Sequence, residues 1–161
     1  MAKPSRNANP LHIQSLARTF FVTTNTHRGK ALLQSDRNAM LFVDVLRSGV
    51  VRHKFQVRDF VIMPNHVHLL LTVDSNMSIE RAMQLIKGGF SYRIRTELGY
   101  AGEVWQPGFS ESRVYTNEHL QKCRDYIALN PVRAGVVASP ELFPYCLSSL
   151  MRKKQRLKPS E

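Results

Sequence analysis

The chain has 161 residues, of which 43% are hydrophobic, which is enough to bury a core within one domain and speaks against both a disordered chain and a two-domain enzyme. Lys and Arg number 23 against 12 Asp and Glu, and the resulting net charge of +11 points to a polyanionic partner. The longest strongly apolar run, Val67 to Val73, is strand length and far short of the roughly 18 residues of a membrane span. Met1 to Asn9 is polar and lacks the apolar middle of a signal peptide, so a cytoplasmic, nucleoid-associated protein is expected. The two cysteines, Cys123 and Cys146, can form neither a disulfide framework nor a zinc knuckle, and read as small buried hydrophobes.

Residues 1 to 17 form a basic N-terminal arm, 18 to 150 the folded domain, and 151 to 161 a basic tail. In that tail Arg152, Lys153, Lys154, Arg156 and Lys158 carry the charge, and few apolar residues anchor it, so a flexible arm is expected. Phe20 to Thr26 is rich in aromatic and β-branched residues and predicts a strand. A helix starts at Ser35 or Asp36, with Ala39, Phe42, Val43, Leu46 and Val50 at helical spacing. Two strands follow, Lys54 to Met63 and His66 to Val73, joined tightly at Pro64-Asn65. Ser78 caps a second helix lined by Ile79, Ala82, Met83, Ile86, Phe90 and Ile94, in which Gly88-Gly89 marks a bend or a close approach. After a loop come a short strand near Phe109 to Tyr115 and a third helix, capped by Asn117 and ending at Pro131. The order β-α-β-β-α-β with a trailing helix is the α+β, ferredoxin-like split βαβ plan on an antiparallel sheet.

His66 and His68 alternate on the third predicted strand and therefore point to one face, their α-carbons roughly 6.6 Å apart, so both imidazoles can converge on one cation. An isolated His-x-His also occurs as mere cover for a polar sheet face. The next alternate position is Leu70, which removes the third histidine that a nucleotidyl-histidine mechanism needs. Tyr126 and Asn130, at i and i+4 of the third helix, share a face away from Leu120 and Cys123. The phenol is a latent nucleophile toward a phosphodiester, and the amide oxygen is a further neutral ligand for the same cation. Tyr92 and Tyr115 are weaker candidates, because Thr96 and His119 occupy their i+4 positions. Trp105 either stacks on an unpaired base or packs in the core; Lys87, Arg93, Arg95 and Arg113, with Arg152, Lys153 and Lys154 of the tail, are available to phosphates.

The segments MPNHVHLLL (63 to 71), GEVWQPGFSESRV (102 to 114), CRDYIALNPVRAGVV (123 to 137) and FPYCLSS (143 to 149) resemble the single-tyrosine HUH transposases, in the branch of REP-associated tyrosine transposases. The resemblance covers roughly residues 18 to 150. It implies an HUH nuclease fold with a C-terminal catalytic helix, and metal-dependent cleavage and joining of single-stranded DNA at REP-like hairpins through a 5′-phosphotyrosine. By position, His66 and His68 match the metal-binding pair, Tyr126 the nucleophile and Asn130 the residue completing the metal site, with Mg2+ or Mn2+ as cofactor. Where related insertion-sequence transposases typically have Gln, this chain has the shorter Asn130, so the helix must sit closer to the strand or water must bridge. The branch favours a monomer, with a homodimer as the alternative. The competing class is a non-catalytic nucleic-acid-binding protein of the same fold.

Overall fold

The computed structural model describes residues 17–156. All but one residue of the expected N-terminal arm, and Lys158 of the tail, lie outside that range. Four strands form one sheet in the order β2-β3-β1-β4: β1 is Arg18–Asn25, β2 Gln56–Ile62, β3 His66–Val73 and β4 Ser110–Val114. Every neighbouring pair is antiparallel. β3 is thus inserted between β1 and β2, which point the same way, and the split βαβ plan is realised. Helices α1 (Asp36–Val51) and α2 (Ile79–Leu98) cover one face of the sheet. Helix α3 (Asn117–Arg133) lies on the other, and α4 (Leu147–Arg156) ends the described chain. Among the described residues no helix is long and apolar enough to cross a membrane.

The two faces carry separate clusters, as strand alternation requires. Phe20 and Val22 of β1, Phe60 and Ile62 of β2, and Val67, Leu69, Leu71 and Val73 of β3 pack under α1 and α2. The six apolar positions expected to line α2 are all buried. On the opposite face Val61, Leu70 and Val114 meet Cys123 and Ile127 of α3, with Phe143 and Cys146 closing the side. Because α3 covers β3 from below, that strand is buried on both faces. This second layer gives the histidines a roof.

Local signals set the helix ends, with two corrections. Ser35 and Ser78 cap α1 and α2 by accepting from Asn38 N–H and Arg81 N–H. The cap of α3 is Thr116, not Asn117: its hydroxyl accepts from His119 N–H at 3.0 Å. Nor does Pro131 end that helix, which runs one half-turn further to Arg133 with Pro131 buried inside it. The chain then leaves through Gly135, whose φ of +72° is open to glycine at no steric cost. Helix α2 passes unbroken through its glycine pair. A Cβ on Gly89 would lie 3.3 Å from Val45 Cγ1, so Gly89 marks the close approach of α1, while a Cβ on Gly88 would meet nothing within 4 Å.

The loop after α2 decides between the two readings of Trp105. The ring of Trp105 stands 5.5 Å from Phe90 and 5.9 Å from Phe42, and its indole N–H donates to Lys87 O at 3.0 Å. Lys87 in turn donates to the carbonyls of Gln106 and Gly108. Trp105 is therefore a core anchor rather than a free stacking platform, and Lys87 clamps the loop beside it. Trp105→Ala should destabilise the fold by about 3 kcal/mol, at the lower end for a large aromatic because the ring is only half-buried, and a fall in the urea midpoint checks it.

The C-terminal segment departs from the expected loose arm. Rather than a loose arm from residue 151, residues up to Arg156 continue the helix that starts at Leu147. Tyr145 O accepts from Ile62 N–H at 2.8 Å and Cys146 bridges Val61, so the chain first adds to the edge of β2. Leu147 and Leu150 then pack against the main core. Arg152 donates to Ser149 Oγ at 2.8 Å.

Candidate active site

Strand pairing fixes the histidines from both sides. Asn25 pairs with His66 and Thr23 with His68 across β1, while Val61 lies opposite His68 on β2. The two imidazoles are adjacent, with ring centroids 4.9 Å apart and planes at 78°. His68 is buried and His66 half-buried. Burial lowers the pKa of both: His68 falls to about 4, through desolvation and then its neighbour His66, and His66 falls through desolvation against an opposing hydrogen bond to Asn130. At neutral pH both rings are uncharged and carry a free lone pair.

Hydrogen bonds orient those lone pairs. His66 Nδ1 lies 2.8 Å from Asn65 Oδ1, an acceptor, which places the proton on Nδ1 and the lone pair on Nε2. His68 Nδ1 lies 2.8 Å from Thr23 Oγ1, and its Nε2 is 3.2 Å from the side-chain nitrogen of Asn130. A half-turn of that amide presents Oδ1 to the same point. Helix α3 thus sits close enough for the shorter Asn130 to reach the imidazole directly, without a bridging water. No cluster of three or more His, Cys, Asp or Glu suited to a metal occurs among the described residues. Two imidazoles and one amide oxygen are the available donors, a set that fits a divalent ion with several positions left for substrate.

Tyr126 stands beside this group. Its ring is edge-on to His68 at 5.2 Å and to Phe21 at 5.8 Å, and the residue is 40% exposed. Phe21 also stacks on His68 at 5.5 Å, with 14° between the planes. Packing thereby holds one edge of the phenol against the histidines while the rest stays open to solvent. Tyr92 and Tyr115 have no such setting: both are largely exposed, Tyr92 on α2 across the sheet and Tyr115 under the guanidinium of Arg113.

The four candidates His66, His68, Tyr126 and Asn130 come together; the expected DNA contacts do not join them. Lys87, Arg93, Arg95 and Trp105 belong to the α1 and α2 side of the sheet, and Arg93 is already paired with Asp44 at 2.9 Å and with Glu97. Arg113 pairs with Phe20, near the end of β1 remote from His66. Arg152, Lys153 and Lys154 lie on α4. Thr23 and Phe21 lie outside the sequence motifs, whereas Asn65 and Arg133, whose guanidinium lies over the Tyr126 ring, fall inside them without an assigned role there. Asn65 adjoins His66 and is within reach of such reasoning, whereas Thr23 and Phe21 become neighbours of His68 only through strand register.

The family model described as Transposase IS200 like matches residues 15–130, a span from just before β1 to Asn130 that includes all four converging side chains. The chain belongs to this transposase family. It is 24% identical over 132 residues to a REP-associated tyrosine transposase of Escherichia coli, covering 79% of this chain and 74% of the relative. A Haemophilus influenzae protein provisionally given the same name is 26% identical over 136 residues, covering 78% and 76%. A solved REP-associated tyrosine transposase bound to a REP hairpin matches with a TM-score of 0.68 at 23% identity, over 99% of this chain and 89% of the other. That likeness establishes the shared fold.

Proposed function

We propose that this transposase cleaves and rejoins single-stranded DNA beside REP-like hairpins, with Tyr126 as the nucleophile and a divalent cation, Mn2+ or Mg2+, as cofactor. The observation that carries this reading is that one imidazole, His68, touches both the nucleophile candidate and Asn130, so the phenol and the donor set share a wall. The hairpin substrate is drawn from the solved relative bound to one.

His66, His68 and Asn130 would hold the cation, which supplies charge neutralisation at a non-bridging phosphate oxygen and at the departing 3′ oxygen. Imidazole donors favour Mn2+ over Mg2+. Thr23 and Asn65 keep both Nε2 lone pairs directed inward. Tyr126 Oη attacks phosphorus in line, an O–P bond forms, and the bond from phosphorus to the 3′ oxygen breaks, leaving a 3′-hydroxyl and a 5′-phosphotyrosine. The phenol proton has an exit through the exposed edge of the ring. A second 3′-hydroxyl reverses the step, and since one phosphodiester replaces another no external energy is needed. All four groups come from one chain, so a monomer suffices to build the site.

A labelled single-stranded oligonucleotide carrying a hairpin and its flank, incubated with the protein and Mn2+, should give an adduct that survives denaturation, with the nucleotide on Tyr126 by mass spectrometry. Cleavage into two free ends without an adduct would replace Tyr126 by water and overturn the mechanism.

The basic residues of α4 bear on affinity rather than chemistry. Changing Lys153 and Lys154 to Gln should weaken binding to every DNA and flatten its dependence on salt by about 1.4 at most, roughly 0.7 per lost single-strand phosphate contact. Hairpin preference should persist. Loss of discrimination at an unchanged salt slope would instead make α4 a specificity element.

A further inference from the structure

Arg133 ends α3 seven residues after Tyr126, two turns on and therefore on the same face of the helix. Its guanidinium carbon lies 5.8 Å from the centroid of the Tyr126 ring. The side chain is exposed, and among the described residues it forms no ion pair. Arg93, by contrast, is held by Asp44 and Glu97, and Arg18 by the carbonyls of Asp74 and Met77. Arg133 instead rests its charge on the face of one aromatic ring, that of the proposed nucleophile.

We propose that Arg133 is a catalytic residue, donating hydrogen bonds to a non-bridging oxygen of the scissile phosphate as Tyr126 attacks. The inference rests on the Tyr126 reading above. A phosphate arriving at the phenol oxygen comes within the swing of a guanidinium already held over that ring. The planar fork then offers paired N–H donors to phosphate oxygens, which spread the charge of the transition state. The contact to the ring is weak and readily exchanged for a phosphate, while it keeps the side chain near its working position. The same donors assist the reverse step, because the phosphorus passes through the same geometry when the phenol leaves. A side chain serving only to complement the negative end of α3 would affect stability and leave the transfer rate alone.

Single-turnover cleavage at saturating hairpin DNA and Mn2+, with full-length protein, separates these roles. Arg133→Ala should slow cleavage by about 10^2 to 10^3-fold, the usual loss for one preorganised donor to a developing charge. Hairpin affinity should change by less than about threefold, since one phosphate contact among many is removed. Arg133→Lys should recover part of the rate, and added guanidinium ion should speed the Ala variant. A second substrate tests the contact itself: with an uncharged methylphosphonate at the scissile position, wild type and Arg133→Ala should cleave at similar rates. Wild-type rates for Arg133→Ala on the natural substrate overturn the proposal, and so does an undiminished defect on the methylphosphonate. Cleavage that persists in Tyr126→Phe overturns the underlying mechanism, whereas an inert Tyr126→Phe beside an unimpaired Arg133→Ala overturns this inference alone.

Discussion

Replacing Tyr126 with Phe should abolish cleavage, by on the order of 10^4-fold or more, while hairpin affinity stays within about twofold of wild type. The substitution removes one oxygen and nothing else. The ring keeps its edge-on contacts to His68 and Phe21, so the fold and the orientation of the imidazoles are preserved. Affinity depends chiefly on Lys and Arg contacts to phosphates, none of which the change touches. The denaturation-resistant adduct should vanish together with the nicked product. Tyr92→Phe and Tyr115→Phe serve as controls, since both side chains are exposed and neither ring lies against the histidines. A Phe variant at position 126 that nicks DNA at near wild-type rate would show that water or another tyrosine attacks.

Periodicity places the candidate groups on shared faces, and the family resemblance supplies the roles expected of them. A period of two puts His66 and His68 on one face of a strand, and a period near four puts Tyr126 and Asn130 on one face of a helix. Both pairs are local, and each survives errors of one or two residues in the element bounds, such as the shift of the α3 cap from Asn117 to Thr116. What joins the two pairs is not local. Thr23 lies 45 residues before His68 and meets it only through antiparallel register, which alternation on each strand does not specify.

The separation of the basic residues from the histidines is hidden in the sequence for a related reason. Helical spacing tells which side of α2 carries Lys87, Arg93 and Arg95, but not which face of the sheet the helix covers, and α2 lies across the sheet from His68. Trp105 is ambiguous in the sequence because the same ring serves a base or a core equally well; Phe42 and Phe90, distant in sequence, decide it. In the tail, the run of charge from Arg152 onward masks Leu147 and Leu150, and the pairing of residues 145 and 146 with β2 anchors the helix that follows.

Removing either imidazole should be as damaging to cleavage as removing the phenol, yet for a different reason that metal binding exposes. His66→Ala leaves one imidazole and an amide, so Mn2+ affinity should fall by at least about tenfold and cleavage should be lost, while salt-dependent DNA affinity remains. His68→Ala should do the same and also destabilise the fold by about 1–3 kcal/mol, because Thr23 and Asn130 lose their shared partner in a buried setting. His66, which is half-buried, is the cleaner probe. The pH profile gives an independent check. Burial lowers both folded-state values below 6.5, so His68, at about 4, stays neutral through the ordinary histidine range and His66 stays neutral to lower pH than a solvated imidazole. Stability tied to His68 is likewise complete above 6.5 and is lost progressively as pH falls toward 4, since the unfolded chain binds the proton first. Mn2+ binding followed from pH 8 down to 4 should therefore have its midpoint below the 6.5 of an ordinary imidazole. A midpoint at or above 6.5 would mean that these imidazoles are solvated rather than roofed by α3, and full cleavage by metal-free protein in chelator would remove the cation from the reaction altogether.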